Sequence, residues 1–253
     1  MRDDMDERRR WPALILIGLA LTLLGGLAGW SWHSMAGRAA SGIADTDRAA
    51  IEDVVRQYIL DHPEILPQAM ENLQRRENAK RLSAIRGDLE RPFPGAVLGN
   101  PAGKVTLVEF TDFACGYCKQ SVADVEALVK KHPDLRVVVR ELPILSPQSA
   151  EAARMALAAA EQGRFAAFHR LMFSAGRPDT GSIEAAAKAA GLDMARARKV
   201  SVSPAVEAEI NANLEMARQL GFAGTPTWVI GDSVLAGAVG LDRLDAAIRD
   251  ARD

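Results

Sequence analysis

The feature that most restricts the fold of this chain is a pair of cysteines three residues apart, Cys115 and Cys118, in the sequence CGYC. They are the only cysteines among 253 residues. They follow a run typical of a β-strand at 104–110 and open a stretch of helical character at 116–131. A second strand-like run lies at 135–141. A strand, a helix and a strand of this size predict a right-handed parallel crossover, and therefore an α/β fold.

The spacing of the two cysteines indicates redox chemistry. In the first turn of a helix, residues three apart are about 5 to 6 Å from each other, within the Cα separations that a disulfide tolerates. At the helix N-terminus, Cys115 faces free N–H groups and the positive end of the helix dipole, and both favour the thiolate. Cys118 lies one turn further on, where we expect it to be shielded and to act as the resolving thiol.

Two other uses of the cysteine pair stay open. One is a purely structural disulfide, and the other is a metal site. Zinc normally takes four ligands, and His62, His132 and His169 show no ligand spacing with the cysteines, so no zinc site is expected. Two-coordinate Cu(I), held by both thiolates, remains an alternative.

Residues 13–32 form an uncharged apolar run long enough, at about 1.5 Å per residue, to cross the roughly 30 Å hydrocarbon layer of a membrane. Four arginines precede this run and fewer basic residues follow it closely, so residues 1–12 are expected to form a cytoplasmic tail. The segment is interpreted as a single-pass membrane anchor. The alternative is a signal peptide cleaved near residues 36–44. Either interpretation places the residues beyond about 40 in a compartment where disulfides persist.

The remaining sequence divides by its pattern. Residues 46–90 carry apolar side chains at spacings of three and four, which predicts a helical region whose apolar stripe needs a covering surface. Self-association and a solvated stalk are the two interpretations. Residues 91–103 hold three prolines and three glycines, which predicts a linker. Residues 104–253 form the α/β domain, with Ala-rich helical sequence at about 148–221 and further strands after it.

The composition excludes several classes of protein. With 48% apolar and 25% charged residues, the chain is neither disordered nor collagen-like. A net charge of -2 gives no broad basic surface, so no nucleic-acid partner is expected. Because GxGxxG, Walker and GxSxG motifs are absent, nucleotide and serine-hydrolase chemistry has no support, and no cofactor is expected.

Three separated motifs, VEFTDFACGYC, ELPILSPQSAEAARMALAA and GTPTWVI, resemble in sequence and order the DsbA family of thioredoxin-fold thiol-disulfide oxidoreductases. The resemblance covers about residues 100–250 and implies a thioredoxin fold with an inserted helical domain. The upstream stretch IEDVVRQYILDHPEILPQAMENLQRRE is similar to the N-terminal region of the ScsC branch, named for suppression of copper sensitivity. Some ScsC-like proteins oligomerise through that region and act as disulfide isomerases, which favours self-association through residues 46–90. The apolar run at 13–32 departs from that branch, where a cleaved signal is commoner.

The resemblance also implies roles for residues outside the cysteine pair. Thr225 and Pro226 match the family's cis-proline loop, which is expected opposite Cys115 as a seat for an extended substrate strand. Gly116 and Tyr117, between the cysteines, are expected to contact substrate. Glu109 matches the buried acid that moves protons to and from the resolving cysteine. An exposed carboxylate at the strand end is the alternative for Glu109, and Asp112 is its rival for the role.

The sequence therefore predicts a periplasmic protein thiol-disulfide oxidoreductase, an oxidase or an isomerase, with Cys115, Cys118 and Glu109 as catalytic residues. Its expected partners are protein substrates with cysteines and a membrane redox partner that resets the dithiol or disulfide. The alternative functions are a Cu(I)-handling protein without redox turnover and a noncatalytic chaperone. The direction of exchange is not set by the motif.

Overall fold

The computed structural model of the protein describes residues 45–252, with side chains from Asp47 onward. The expected cytoplasmic tail at 1–12 and membrane anchor at 13–32 lie outside the described residues. Within 45–252, no helix combines the length and the apolar character needed to cross a membrane. The chain divides into two compact units, with the boundary after Gln68.

The described part of the first unit is helical. Helix α1 spans Asp45–Asp61, and helix α2 spans Ile65–Leu89 and continues into the second unit. The apolar side chains that recur along α1 are exposed to solvent and not packed in a core. These residues are Ile51, Val54, Val55 and Tyr58. The apolar stripe seen in the sequence is therefore an uncovered surface of α1.

A five-stranded sheet forms the centre of the second unit, with the strand order β1-β3-β2-β4-β5. Strands β2 and β3 are parallel, and every other neighbouring pair is antiparallel. Helix α3, Gly116–Lys131, joins β2 to β3, which confirms the predicted crossover. The strands are β1 Val97–Gly99, β2 Val105–Thr111, β3 Leu135–Glu141, β4 Thr227–Ile230 and β5 Ser233–Ala236.

Five helices lie between β3 and β4, where the sequence predicted helical residues at about 148–221. Local signals fix their ends: the Ser146 side chain accepts the backbone N–H of Ser149 at the first helix, and Gly221 ends the last one with a left-handed φ of 71°. A final helix, α9, closes the fold. The helices are α4 Pro147–Ala160, α5 Phe165–Ala175, α6 Thr180–Ala189, α7 Met194–Ser201, α8 Pro204–Leu220 and α9 Leu241–Asp250.

The two faces of the sheet have different covers because side chains alternate along each strand. Val108 and Phe110 of β2 pack on one face with Leu82 and Leu89 of α2 and with side chains of α8. Leu107 points to the other face, where it joins the core that contains α3 and α9. The second half of α2 thus belongs to the core of the domain, although the sequence placed all of residues 46–90 in a separate helical region.

A buried arginine holds the end of α2 against the sheet. Arg140 of β3 is 2% exposed and donates hydrogen bonds to the backbone oxygens of Asp88, Leu89 and Arg91. It also forms an ion pair with Glu209 of α8, with 2.6 Å between nitrogen and oxygen. Carbonyl groups at a helix C-terminus have no partners within the helix, and Arg140 supplies them.

The expected linker at 91–103 is in part a strand. Strand β1 lies within this segment and pairs antiparallel with the outer edge of β3, with Val97 opposite Val138. The prolines and glycines of the segment hid this strand from pattern analysis, because it is only three residues long. The segment therefore completes the sheet that carries the cysteine loop.

Candidate active site

The two cysteines lie where β2 gives way to α3. Cys115 is the N-cap residue of α3, with extended backbone angles, and Cys118 lies in the first turn. The backbone N–H of Cys118 donates to the Cys115 sulfur over 3.4 Å. Sulfur thus takes the place that a serine or aspartate oxygen usually occupies at a helix start, which is a favourable site for negative charge.

The two thiols differ in their access to solvent. Both are free in this structure. Cys115 is 7% exposed and Cys118 is completely buried. Burial raises the pKa of the Cys118 thiol well above its ordinary value, because a thiolate there would lose its hydration. Cys115 is therefore the more accessible of the two buried cysteines.

The loop before β4 lies against this sulfur. The Thr225–Pro226 peptide bond is cis, and the Cys115 thiol donates to the Thr225 carbonyl oxygen over 3.2 Å. Pro226 is buried, and its own carbonyl oxygen accepts the N–H of Gly237 at 2.8 Å. The structure thus brings together the cysteine pair and the threonine-proline motif, which are 110 residues apart in sequence.

Asp112 organises the loop in front of the cysteines. Its side chain is buried and accepts three backbone N–H groups, from Ala114 at 2.7 Å, Ile144 at 2.9 Å and Leu145 at 3.0 Å. Its backbone oxygen accepts the N–H of Cys115 at 3.0 Å. Because its side chain accepts three backbone N–H groups, Asp112 supports the loop in front of the cysteines.

Glu109 lies on β2, six residues before Cys115, and is 2% exposed. The alternative of an exposed carboxylate at the strand end is therefore wrong. Burial raises the pKa of Glu109 from its ordinary 4.5 to about 8, and the nearby Thr111 hydroxyl offsets part of that rise. A carboxyl with this pKa keeps its proton at neutral pH and is suited to general acid and base chemistry.

Exposed apolar side chains surround the cysteine loop. Tyr117, between the cysteines, is 63% exposed, and Gly116 has no other group within 4 Å of the position that a side chain would take. Ile144 and Leu145, whose N–H groups Asp112 binds, are 45% and 53% exposed. The sequence pattern did not single out these two residues, although adjacent apolar residues in a proline-flanked loop are a recognisable signal. Through Asp112 they are held to the loop that carries Cys115.

A second buried carboxyl, that of Glu141, was also missed. Glu141 ends β3 and is directly opposite Thr111 in the parallel pairing. It is 1% exposed, and burial raises its pKa well above the ordinary value. The signal was present in the sequence, since Glu141 follows Leu135, Val137 and Val139 at the inward positions of the strand, where an acid is unusual.

The histidines considered as metal ligands have other surroundings. His132 is hydrogen-bonded to Asp245 at 2.8 Å, and His169 packs among the rings of Phe113, Phe165 and Phe173. In the part of the chain that the structure describes, no three His, Cys, Asp or Glu side chains converge as a metal site would require.

Two family models match the chain. Residues 106–249 match the DSBA-like thioredoxin domain, and residues 47–80 match the N-terminal domain of the copper resistance protein ScsC. The first match contains the cysteine pair, Glu109 and the cis-proline loop.

Solved structures give the same assignment. The chain is 41% identical to a thioredoxin-like oxidoreductase from Silicibacter pomeroyi, with a TM-score of 0.60 over 62% of this chain and 91% of that one. It is 29% identical to a linker-deletion variant of Proteus mirabilis ScsC, with a TM-score of 0.64 over 83% of this chain and 97% of that one. It is 28% identical to the thiol-disulfide exchange protein α-DsbA2 of Wolbachia pipientis, with a TM-score of 0.64 over 70% of this chain and 97% of that one.

A curated relative is much longer than this chain. The Na(+)/H(+) antiporter NhaA 3 of Salinispora tropica is 31% identical over 160 residues, which are 61% of this chain and 24% of that protein. The chain thus spans about a quarter of the length of that relative. The first family model covers more than half of the chain, and the sheet and helices have the thioredoxin-like α/β arrangement that the sequence predicted. The protein belongs to the DSBA-like thioredoxin domain family and carries an ScsC-like segment before that domain.

Proposed function

We propose that this protein is a periplasmic thiol-disulfide oxidoreductase that exchanges disulfides with protein substrates through Cys115 and Cys118. The observation that carries the proposal is the asymmetry of the pair: the Cys115 sulfur caps the helix and its residue keeps a small exposed fraction of 7%, whereas Cys118 is completely buried. An exchange enzyme needs one sulfur that meets the substrate and a second that is protected until it resolves the adduct. A structural disulfide needs no such difference.

In the oxidising direction, a substrate thiolate attacks the Cys115 sulfur of the Cys115–Cys118 disulfide. A substrate–Cys115 bond forms, the Cys115–Cys118 bond breaks, and the electron pair leaves on Cys118. Because Cys118 is buried, its thiolate takes a proton, which we assign to Glu109. A second substrate thiolate then attacks the substrate sulfur of the mixed disulfide. Cys115 leaves as a thiolate at the helix N-terminus, with the substrate oxidised by two electrons.

The reverse sequence reduces or rearranges a substrate disulfide. Cys115 thiolate attacks the substrate, and Cys118 resolves the adduct after Glu109 accepts its proton. Isomerisation requires that the substrate's own thiol resolve the adduct before Cys118 does so. The chemistry of each step is shared by all three directions, and the redox partner in the membrane selects among them.

We assign substrate binding to the loop at Thr225 and Pro226. Gly116 and Tyr117, which lie between the two cysteines, are assigned further contacts with the substrate. Backbone groups of such a loop recognise an extended chain without regard to its side chains. The exposed side chains of Tyr117, Ile144 and Leu145 offer apolar contacts. An unfolded segment exposes apolar side chains that can pack against them, whereas a folded protein buries most of its own. This arrangement suits broad recognition of incompletely folded proteins.

Residues 46–90 are proposed to mediate self-association, and α1 is the part that supports this role. Its apolar stripe is exposed, whereas Leu82 and Leu89 of α2 are used inside the catalytic domain. The match of residues 47–80 to the ScsC N-terminal domain adds support. An assembly would present several cysteine pairs to one misfolded substrate.

The location follows from the same proposal. Residues 13–32 would hold the protein in the inner membrane, or be cleaved as a signal peptide, with residues 104–253 in the periplasm. Cu(I) handling by the two thiols is a second candidate function, because the family model over residues 47–80 is named for copper resistance. A competition titration with a Cu(I) chelator separates it from exchange.

Replacing Cys118 by alanine is expected to trap substrates on Cys115, since the resolving sulfur is lost while the attacking sulfur remains. Cells that express Cys118→Ala should yield protein adducts that disappear on reduction, as seen on paired nonreducing and reducing gels. The double variant Cys115→Ser/Cys118→Ala is the matched control and should yield none. Failure to recover any reducible adduct with Cys118→Ala would contradict the mechanism.

Glu109→Gln is expected to stabilise the fold and slow the exchange. The folded-state pKa of Glu109 is raised from 4.5 to about 8, so the stability that this group contributes is fully present below pH 4.5 and is lost as the pH rises toward 8. Glutamine stays neutral and removes this loss, worth about 2 to 4 kcal/mol at pH 8. Exchange should slow about tenfold or more, because Cys118 loses its proton donor.

Urea unfolding and scrambled-RNase refolding, each measured between pH 5 and 8, test both halves of this prediction. The control is Glu126→Gln on the exposed side of α3, which should change neither quantity. An unchanged exchange rate in Glu109→Gln would remove Glu109 from the mechanism.

Ile51→Glu is expected to lower the oligomeric state of the full chain, because it places a charge in the exposed apolar stripe of α1. Ala49→Glu adds the same charge on the other side of the helix and should leave the state unchanged. Sedimentation equilibrium of the three proteins in one detergent measures the difference. A monomeric wild type, or an equal effect of the two variants, would refute self-association through this stripe.

A further inference from the structure

Three polar side chains lie together on the sheet beneath Cys118. Side chains alternate along a strand, so Glu109 and Thr111 of β2 point to the same face as Leu107, which packs in the core that includes Cys118. On β3, Glu141 likewise points to the face of Val137 and Val139, which belong to that core. This face is otherwise apolar beneath α3.

Glu141 lies within reach of the atoms that carry protons. It is directly opposite Thr111, and adjacent strands are about 4.8 Å apart. The Thr111 hydroxyl is near both the Glu109 carboxyl and the Cys118 sulfur, and it offsets part of the rise in pKa that burial causes at each. Thr111 is thus the residue of β2 that pairs with Glu141 and also lies near the two groups assigned to proton transfer.

The carboxyl of Glu141 has no partner that would hold a charge. Among the described residues, neither of its oxygens has a hydrogen-bond partner, and the same is true of Glu109 Oε2 and the Thr111 hydroxyl. A buried carboxylate without donors costs several kcal/mol, so the group keeps its proton instead. Burial is the main cause that raises the pKa of Glu141, and the charges of Asp112 and Glu109 act in the same direction.

The charged groups around Glu141 are few. Glu109 on β2 and Asp112 in the loop are near it, and both are acids. From α3, Cys118 packs in the core on the same face of the sheet. The neighbouring Arg140 points to the opposite face of the sheet, where it binds the end of α2 and Glu209. No described cation is thus placed to stabilise two carboxylates on this face, and the pair cannot lose both protons at neutral pH.

We propose that Glu141 is a positioning residue for proton transfer at Cys118, forming with Glu109 a coupled pair of buried carboxyls that keeps one proton while the other moves. The proposal rests on the exchange function assigned above. When the Cys115–Cys118 bond breaks, the Glu109 O–H bond breaks and an S–H bond forms on Cys118. Glu109 is left as a carboxylate that accepts a hydrogen bond from protonated Glu141. Solvent then returns the proton to Glu109.

The pH profile of disulfide cleavage tests this coupling on the oxidised full chain. Dithiothreitol serves as the probe, with rates corrected for its own ionisation, so that no protein substrate is needed. In the wild type the corrected rate should fall in two steps as the pH rises, one for each proton of the pair. In Glu141→Gln it should fall in one step, with a rate at pH 6 within about threefold of the wild type, because glutamine still donates a hydrogen bond. Glu141→Leu, which cannot donate, should be about tenfold slower at pH 6.

Glu126→Gln, an exposed acid-to-amide change on α3, is the matched control and should keep the two-step profile. A Glu141→Gln profile that superimposes on the wild type would overturn the proposal. The wild-type rate with dithiothreitol can fall in two steps with pH while the Cys118→Ala variant traps no protein in cells. That result would support the carboxyl pair and contradict the exchange function.

Infrared difference spectra between the oxidised and reduced forms give a second measurement, whose first test uses the wild type alone. Protonated carboxyls absorb apart from the amide bands, so the wild type should show two carboxylic bands that shift with the redox state. Glu109→Gln should remove one of them and Glu141→Gln the other. A single band in the wild type would refute the coupled pair.

Discussion

The hydrogen bond from the Cys118 backbone N–H to the Cys115 sulfur is the interaction on which the site depends. It fixes one sulfur at the start of α3, where the unpaired N–H groups of the helix favour negative charge. It also sets the second sulfur one turn deeper, inside the core. The start of α3 therefore places the two cysteines in different surroundings, with Cys115 at the N-cap and Cys118 completely buried in the first turn.

Two contacts from other parts of the fold hold the Cys115 sulfur in place. Asp112 ties the end of β2 to the loop after β3 through three N–H groups, so the cysteine loop cannot move independently of the sheet. The Thr225 carbonyl meets the Cys115 thiol from the loop before β4. The layer of buried acids beneath α3 costs folding free energy, because each carboxyl has lost its water. Such a cost is expected where a group is retained for chemistry and not for stability.

The sequence predicted the parts of this arrangement that are local. The strand–helix–strand pattern and the spacing of Cys115 and Cys118 gave the crossover and the position of the pair, and the resemblance to a family pointed to the threonine-proline loop. Burial of Glu109 came from that resemblance as well. These features are encoded in short segments, where alternation and helical spacing are readable.

The parts that escaped the sequence depend on contacts between distant segments. Glu141 and Glu109 lie near each other on one face of the sheet only because β2 and β3 pair in this register. The second half of α2 joins the core because Arg140 binds its last carbonyls, a contact between residues about fifty apart. Strand β1 is too short to show a pattern and exists because the edge of β3 offers it partners.

Selective alkylation tests the asymmetry of the two sulfurs most directly. The fully reduced chain is treated at neutral pH with a limiting amount of iodoacetamide, and the labelled peptide is mapped by mass spectrometry. We expect to find the label on Cys115, with Cys118 modified only after denaturation. Equal labelling of the two cysteines, or faster labelling of Cys118, would contradict the assignment of a surface nucleophile and a buried resolving thiol.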